Sequence, residues 1–173
     1  MPSTNPVLDP PSTLDRATSS LPPHLRPVDP RGPRLAAVVT TVVLAVVLLT
    51  GSPWLLAAQA AVFGLGALGR SPYGIAYRRL VRPRLGPPAG FEDAAPLRFA
   101  QGVGLAFALV ALVGLALPSA ALTLVATAAA LAAAFLNAAF GICLGCELYL
   151  LLRRATTPRR VPATAALSTE VPA

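Results

Sequence analysis

The sequence predicts an all-α integral membrane bundle of four transmembrane helices, and three observations carry that expectation. Hydrophobic residues make up 55% of the chain and charged residues only 12%. The apolar residues gather into long blocks instead of repeating at the spacing of an amphipathic helix or strand. Nearly every charge lies in the segments between and around those blocks. A 173-residue chain so poor in polar surface cannot solvate itself as an ordinary globular domain, so the excess has to face lipid.

The formal net charge of +7 would suit a phosphate binder if the basic residues formed one patch. They do not. Of 14 basic residues, all arginine, four precede residue 35, six lie between Arg70 and Arg98, and four follow residue 152. Each group flanks a hydrophobic block, which is the bias that orients membrane helices, so no nucleic-acid partner is expected.

Taken in order, residues 1–34 hold nine prolines and no apolar run, and are expected to be a disordered cytoplasmic tail. His24, the single histidine, sits there and reads as a solvated residue. A first membrane helix is expected over 35–50. Gly51, Ser52 and Pro53 then break it, with Ser52 suited to cap a new helix and Pro53 to its first turn. The second helix is expected over 54–69, with Trp54 at the lipid edge and Gln59 as its one strongly polar residue. A cytoplasmic connection over 70–98 carries six arginines and five prolines, and Tyr73 to Val81 within it can form a short helix along the headgroups. The third helix is expected over 99–117, interrupted only by Gln101, with a turn at Pro118 and Ser119.

The last helix is expected over 119–152, longer than a bilayer core of about 30 Å requires. It either tilts and projects beyond the lipid or bends near Asn137 and Gly141. Residues 153–173 form a second expected disordered tail. Because the two short turns carry no charge, both termini and the 70–98 connection are assigned to the cytoplasm. The expected location is the cell inner (plasma) membrane, multi-pass, in contact with lipid.

One constellation is suited to chemistry: Cys143-Leu144-Gly145-Cys146-Glu147, which holds both cysteines of the protein. On a continuous helix Cys143, Cys146 and Glu147 fall within about 100° of one another. An acid inside a membrane segment is a functional-site hypothesis by default, and Glu147 is the only one within the blocks. Paired cysteines can cycle between dithiol and disulfide, with Glu147 moving protons, or pass sulfur on as a persulfide. Metal binding is short of ligands, since two Cys and one Glu make three, so no metal and no cofactor is expected. The competing reading is packing: buried cysteine behaves as a small hydrophobe, and Gly141 and Gly145 form a G-x-x-x-G that lets helices approach closely.

Several strings together resemble one known family of bacterial membrane proteins, the domain of unknown function 4395. They are Asp29 to Arg34, Ser71 to Gly74, Arg82 to Pro88, Arg98 to Gln101, and Asn137 to Gly141 leading into Cys143 to Glu147. The resemblance covers residues 28 to about 154. It implies a small polytopic membrane protein, and relatives encoded beside thioredoxin-like or sulfurtransferase proteins, which would be the partners of Cys143 and Cys146. It brings no substrate.

The leading expectation is therefore a membrane thiol protein. Its alternatives are a transporter of a small sulfur compound, with Gln59, Gln101, Asn137 and Glu147 lining a path through a homo-oligomer, and a non-catalytic scaffold.

Overall fold

The computed structural model describes residues 28–86, 90–117 and 119–156. Residues 1–27 and 157–173 of the two expected tails, with His24, and Pro118 of the expected turn lie outside the described residues; the described ends of those tails are ordered instead, Arg31 to Arg34 and Arg153 to Thr156 being helical. Among the described residues there is no strand, and six α-helices carry the fold: α1 (Arg31–Thr50), α2 (Pro53–Ala67), α3 (Pro72–Ala76), α4 (Ala94–Ala116), α5 (Ala120–Phe140) and α6 (Leu144–Thr156). Helix α3 runs on as a π-helical turn, Tyr77–Val81, and a 3-10 turn, Arg82–Arg84.

Three helices, α1, α4 and α5, have 20, 23 and 21 residues and mean hydropathies of 2.1, 2.1 and 1.9. They are long and apolar enough to cross a membrane; α2, at 15 residues, is a shorter apolar helix. The chain is accordingly a multi-pass helical membrane protein.

Local chemistry explains most of the element ends. Gly51 closes α1 in the left-handed conformation at φ 63°, and Ser52 then caps α2 by accepting the Leu55 N–H at 3.4 Å, with Pro53 at the first position. Ser71 and Pro72 repeat that device at α3, where the Ser71 hydroxyl accepts the Gly74 N–H at 3.2 Å. Two helices begin earlier than hydropathy predicts, α1 at Arg31 instead of 35 and α4 at Ala94 instead of 99. Pro33 and Pro96 stand at their third positions, where an N–H has no intrahelical acceptor, so neither proline interrupts the helix. Arg31, Arg34 and Arg98 are thus helical residues, although their charge excludes them from an apolar block.

The largest departure concerns the last expected helix. It is two helices. Gly141 ends α5 at φ 73°, its N–H donating to the Asn137 carbonyl at 3.0 Å, and the chain resumes as α6 only at Leu144. A continuous helix over 119–152 is therefore replaced by a break at the glycine, close to the bend considered between Asn137 and Gly141. Helix α6 packs chiefly on α4 and only slightly on α5.

The two hairpins pack across rather than along the chain. Helix α1 lies mainly on α5 and α2 mainly on α4, while α4 and α5 pack on each other. Alanine and glycine make this closeness possible. A Cβ added at Gly104 would stand 2.8 Å from the Phe63 ring, and one at Gly114 would stand 2.7 Å from the Thr123 backbone nitrogen. The core of Val47, Leu56, Ala60, Phe63, Ala108, Ala111 and Ala126 lies toward the Gly51 turn, beside a cavity of about 480 Å³ that Val47 and Leu56 border.

Candidate thiol site

The arginine-bearing end of the bundle is tied by polar contacts. Asp29 Oδ1 accepts the Arg31 N–H at 3.0 Å, and its Oδ2 accepts the Tyr77 hydroxyl at 2.9 Å. Tyr77 is buried, its ring against Gly32, where an added Cβ would come within 3.1 Å. Burial pushes the Tyr77 phenol up from 10.0, and the Asp29 carboxylate pushes the same way. Val28 and Glu92 exchange two backbone hydrogen bonds of 2.9 Å, and Arg98 Nε donates to the Ala67 carbonyl at 2.9 Å, closing the end of α2. The strings that carry the family resemblance therefore include much of the scaffold of this end.

One of those residues reaches the cysteines' neighbourhood. The Arg34 guanidinium donates to the carbonyls of Ala138 and Ala139, both at 3.4 Å, at the C-terminus of α5. A cation there offsets the negative end of the helix dipole and engages carbonyls left without intrahelical partners. Gly141 follows directly, so Arg34 fixes the helix end from which the cysteine segment departs.

Cys143 stands outside the helix, at the capping position of α6. Its carbonyl accepts the Glu147 N–H at 3.0 Å, and its Sγ accepts the Cys146 N–H at 3.4 Å. Cys146 lies one turn into α6. The two sulfurs are joined as a disulfide, with Cα atoms 5.2 Å apart, within the usual range for such a bridge. Both cysteines are half-buried, and Gly145 between them meets α4 so closely that an added Cβ would stand 2.6 Å from the Ala100 Cα. Phe99 and Tyr149 extend this contact, with ring centroids 5.6 Å apart.

This geometry revises two expectations. The cysteines do not share a face of one continuous helix, because Cys143 is not helical. Glu147 is exposed in the first turn of α6, where an acid complements the helix dipole, and it is not an acid enclosed by the bundle. The G-x-x-x-G spacing also divides: Gly145 is a close-packing residue, whereas Gly141 is a left-handed cap whose nearest neighbour to an added Cβ is Arg34 Cζ at 4.0 Å.

The polar residues proposed to line a path separate as well. Gln59 is fully buried and held at both ends, donating to Thr40 Oγ1 at 3.4 Å and accepting from the Tyr73 hydroxyl at 3.0 Å. Gln101 and Asn137 instead border a cavity of about 380 Å³ that also reaches Cys143. Thr40, a threonine within the apolar run of α1, is on the same wall.

Fold and site together define a multi-pass helical membrane protein with a dicysteine motif at the start of a helix. The family model described as Domain of unknown function (DUF4395) matches residues 28–154, and the chain belongs to that family. No curated protein and no solved structure matches it.

Proposed function

We propose that the protein is a membrane-anchored thiol–disulfide exchanger in which Cys143 and Cys146 cycle between dithiol and disulfide. The observation that carries this reading is the capping position of Cys143, with Cys146 one turn later and its N–H directed at the Cys143 sulfur at 3.4 Å. Partial positive charge collects at a helix start and favours a thiolate there, which is the nucleophile of disulfide exchange. Packing alone asks for no such position.

Helix length supports access to the site. At about 1.5 Å per residue, the 21 residues of α5 cover the core of a bilayer, so a span ending at Phe140 leaves Cys143 at the headgroups. In this reading α1, α2, α4 and α5 are the four transmembrane helices, both termini and the arginine-rich connection are cytoplasmic, and the membrane is the inner (plasma) membrane. A soluble thioredoxin-like protein or sulfurtransferase is the partner on that side. Glu147, exposed beside Cys146, serves proton transfer during exchange.

Inside-out vesicles test the reading. A membrane-impermeant maleimide is expected to label Cys143 or Cys146 after reduction and to label neither after oxidation, with the signal lost in Cys143→Ser/Cys146→Ser. A cytoplasm-dependent reporter fused after Arg160 is expected to be active, and silent when inserted at Gly51. If neither cysteine labels from either side without detergent, the pair is packing and the exchange reading falls.

A further inference from the structure

The cavity that reaches Cys143 is more than a packing gap. It holds about 380 Å³, within the range of small-molecule sites, and lies between α1, α4, α5 and α6. Alanines of α1 and α5 leave the space that larger side chains would fill, and Phe63 borders it on the side of the packed core. Phe107 and Leu148 on its wall are exposed on the outside of the bundle, where they meet lipid. Entry from the bilayer is thus apolar, while the interior carries Thr40, Gln101, Asn137 and the Cys143 sulfur.

Thr40 is the informative residue. It is 95% buried, being only 5% exposed. Thr41, Thr50, Thr123 and Thr156 each donate their hydroxyl to a backbone carbonyl four residues back. Thr40 makes no such bond among the described residues; its oxygen accepts from Gln59, which leaves the hydroxyl proton uncommitted at the cavity wall. Gln59 is in turn fixed by Tyr73, so the orientation is imposed from outside the cavity. The side-chain amides of Gln101 and Asn137 likewise have no hydrogen bond among the described residues. Gln101 and Asn137 are half-buried on the cavity wall, so with the Thr40 hydroxyl they offer donors that an acceptor on a ligand can meet. An acyl chain has none.

We propose that this cavity binds a lipid-soluble quinone and that the quinone is the electron acceptor for the Cys143–Cys146 dithiol. A quinone is an apolar ring that enters from lipid, carries two carbonyl acceptors for the hydroxyl and amide donors, and takes two electrons, the number a dithiol releases. The inference rests on the thiol–disulfide reading. The Cys143 thiolate adds to a ring carbon, forming a C–S bond, and the displaced electron pair is protonated on a carbonyl oxygen. The Cys146 thiolate then attacks the Cys143 sulfur. The S–S bond forms, the C–S bond breaks, and its pair stays on the ring, which takes a second proton to complete the hydroquinone. Two thiols are oxidised and one quinone is reduced; a soluble dithiol protein then returns the disulfide to the dithiol.

The test uses the full chain, reduced and freed of reductant, in anaerobic nanodiscs of phosphatidylethanolamine and phosphatidylglycerol. A short-tailed ubiquinone is expected to yield one hydroquinone per protein with loss of both alkylatable thiols. Diamide, a small water-soluble oxidant, closes the same disulfide without the cavity. Ala134→Phe, which fills the cavity, is expected to slow quinone-driven closure by about tenfold or more and to leave the diamide reaction unchanged. Thr40→Val, which keeps the shape and removes the hydroxyl, is expected to raise the half-saturating quinone concentration by about threefold to tenfold. If diamide closes the disulfide and quinone does not, the quinone site is wrong and thiol exchange survives. Wild-type behaviour of both variants with quinone also overturns the site. Failure of both oxidants to close the bridge removes both proposals.

Discussion

The half of the bundle toward the Gly51 turn and the half that carries the arginines are held by different means. In the first, Leu44, Leu56 and Ala111 are essentially without exposure and Gly114 lets helices meet at backbone distance, beside an apolar cavity of about 480 Å³ bordered by Val47, Leu56 and Ser119. The second is strung together by side chains reaching across elements, Arg34 to α5, Arg98 to α2, and Tyr77 to Asp29, around a space left open. In lipid there is little hydrophobic drive between helices, so contact density stabilises one half and directed hydrogen bonds stabilise the other. The candidate site lies in the half held by directed hydrogen bonds.

The comparison is broken most directly by truncation of the packed half. Leu56→Ala is expected to destabilise the protein by about 2–5 kcal/mol, because it removes a fully buried side chain and enlarges the cavity beside it. Thermal denaturation in detergent would measure it, and a change as small as that of a surface substitution would mean the two halves do not differ. A smaller effect is expected from Gly145→Val, about 1–3 kcal/mol, since the new side chain meets the Ala100 backbone and not a movable side-chain tip. The readout is protease sensitivity of α6. Ala100→Gly should restore little, because Cα itself is the obstacle.

The smallest effect sharpens the comparison by isolating one directed bond. Tyr77→Phe removes the hydrogen bond to Asp29 and is expected to cost about 1 kcal/mol near neutral pH. Its pH dependence has a definite sign. The folded phenol holds its proton above 10.0, so the folded state binds more protons than the unfolded one there, and stability falls as pH rises through that region. Tyr77→Phe should remove that contribution to the alkaline loss, which denaturation midpoints collected from pH 8 to pH 11 would check. An unchanged alkaline profile would show that Tyr77 is not its source.

Much of the architecture was legible because a membrane helix is an apolar block, and the centres of α1, α2, α4 and α5 follow from hydropathy alone. Their ends were less so. Hydropathy penalises Arg31, Arg34 and Arg98, whereas the backbone continues as helix wherever its hydrogen bonds can. Gly141 was visible as an interruption, yet a glycine in an apolar run looks the same whether it packs a neighbour or caps a helix in the left-handed conformation. The cysteine motif was found by residue type, but its capping geometry was not, since cysteine is not among the side chains that usually begin helices. The exposure of Glu147 is not legible for the same reason, since it depends on a break that shifts the helix start. The partners of Arg34 and Tyr77 lie 104 and 48 residues away in the chain, and no local pattern announces them.

The span between Arg34 and Ala138 also constrains how the protein is made. Helix α1 is synthesised before α5, whose carbonyls its arginine engages 104 residues later. Arg34 must therefore wait, solvated or satisfied by lipid phosphates, until α5 follows. The Arg34 contacts at the end of α5 can form only once α1 and α5 have met, so the setting of the dicysteine motif depends on a contact between segments far apart in the chain.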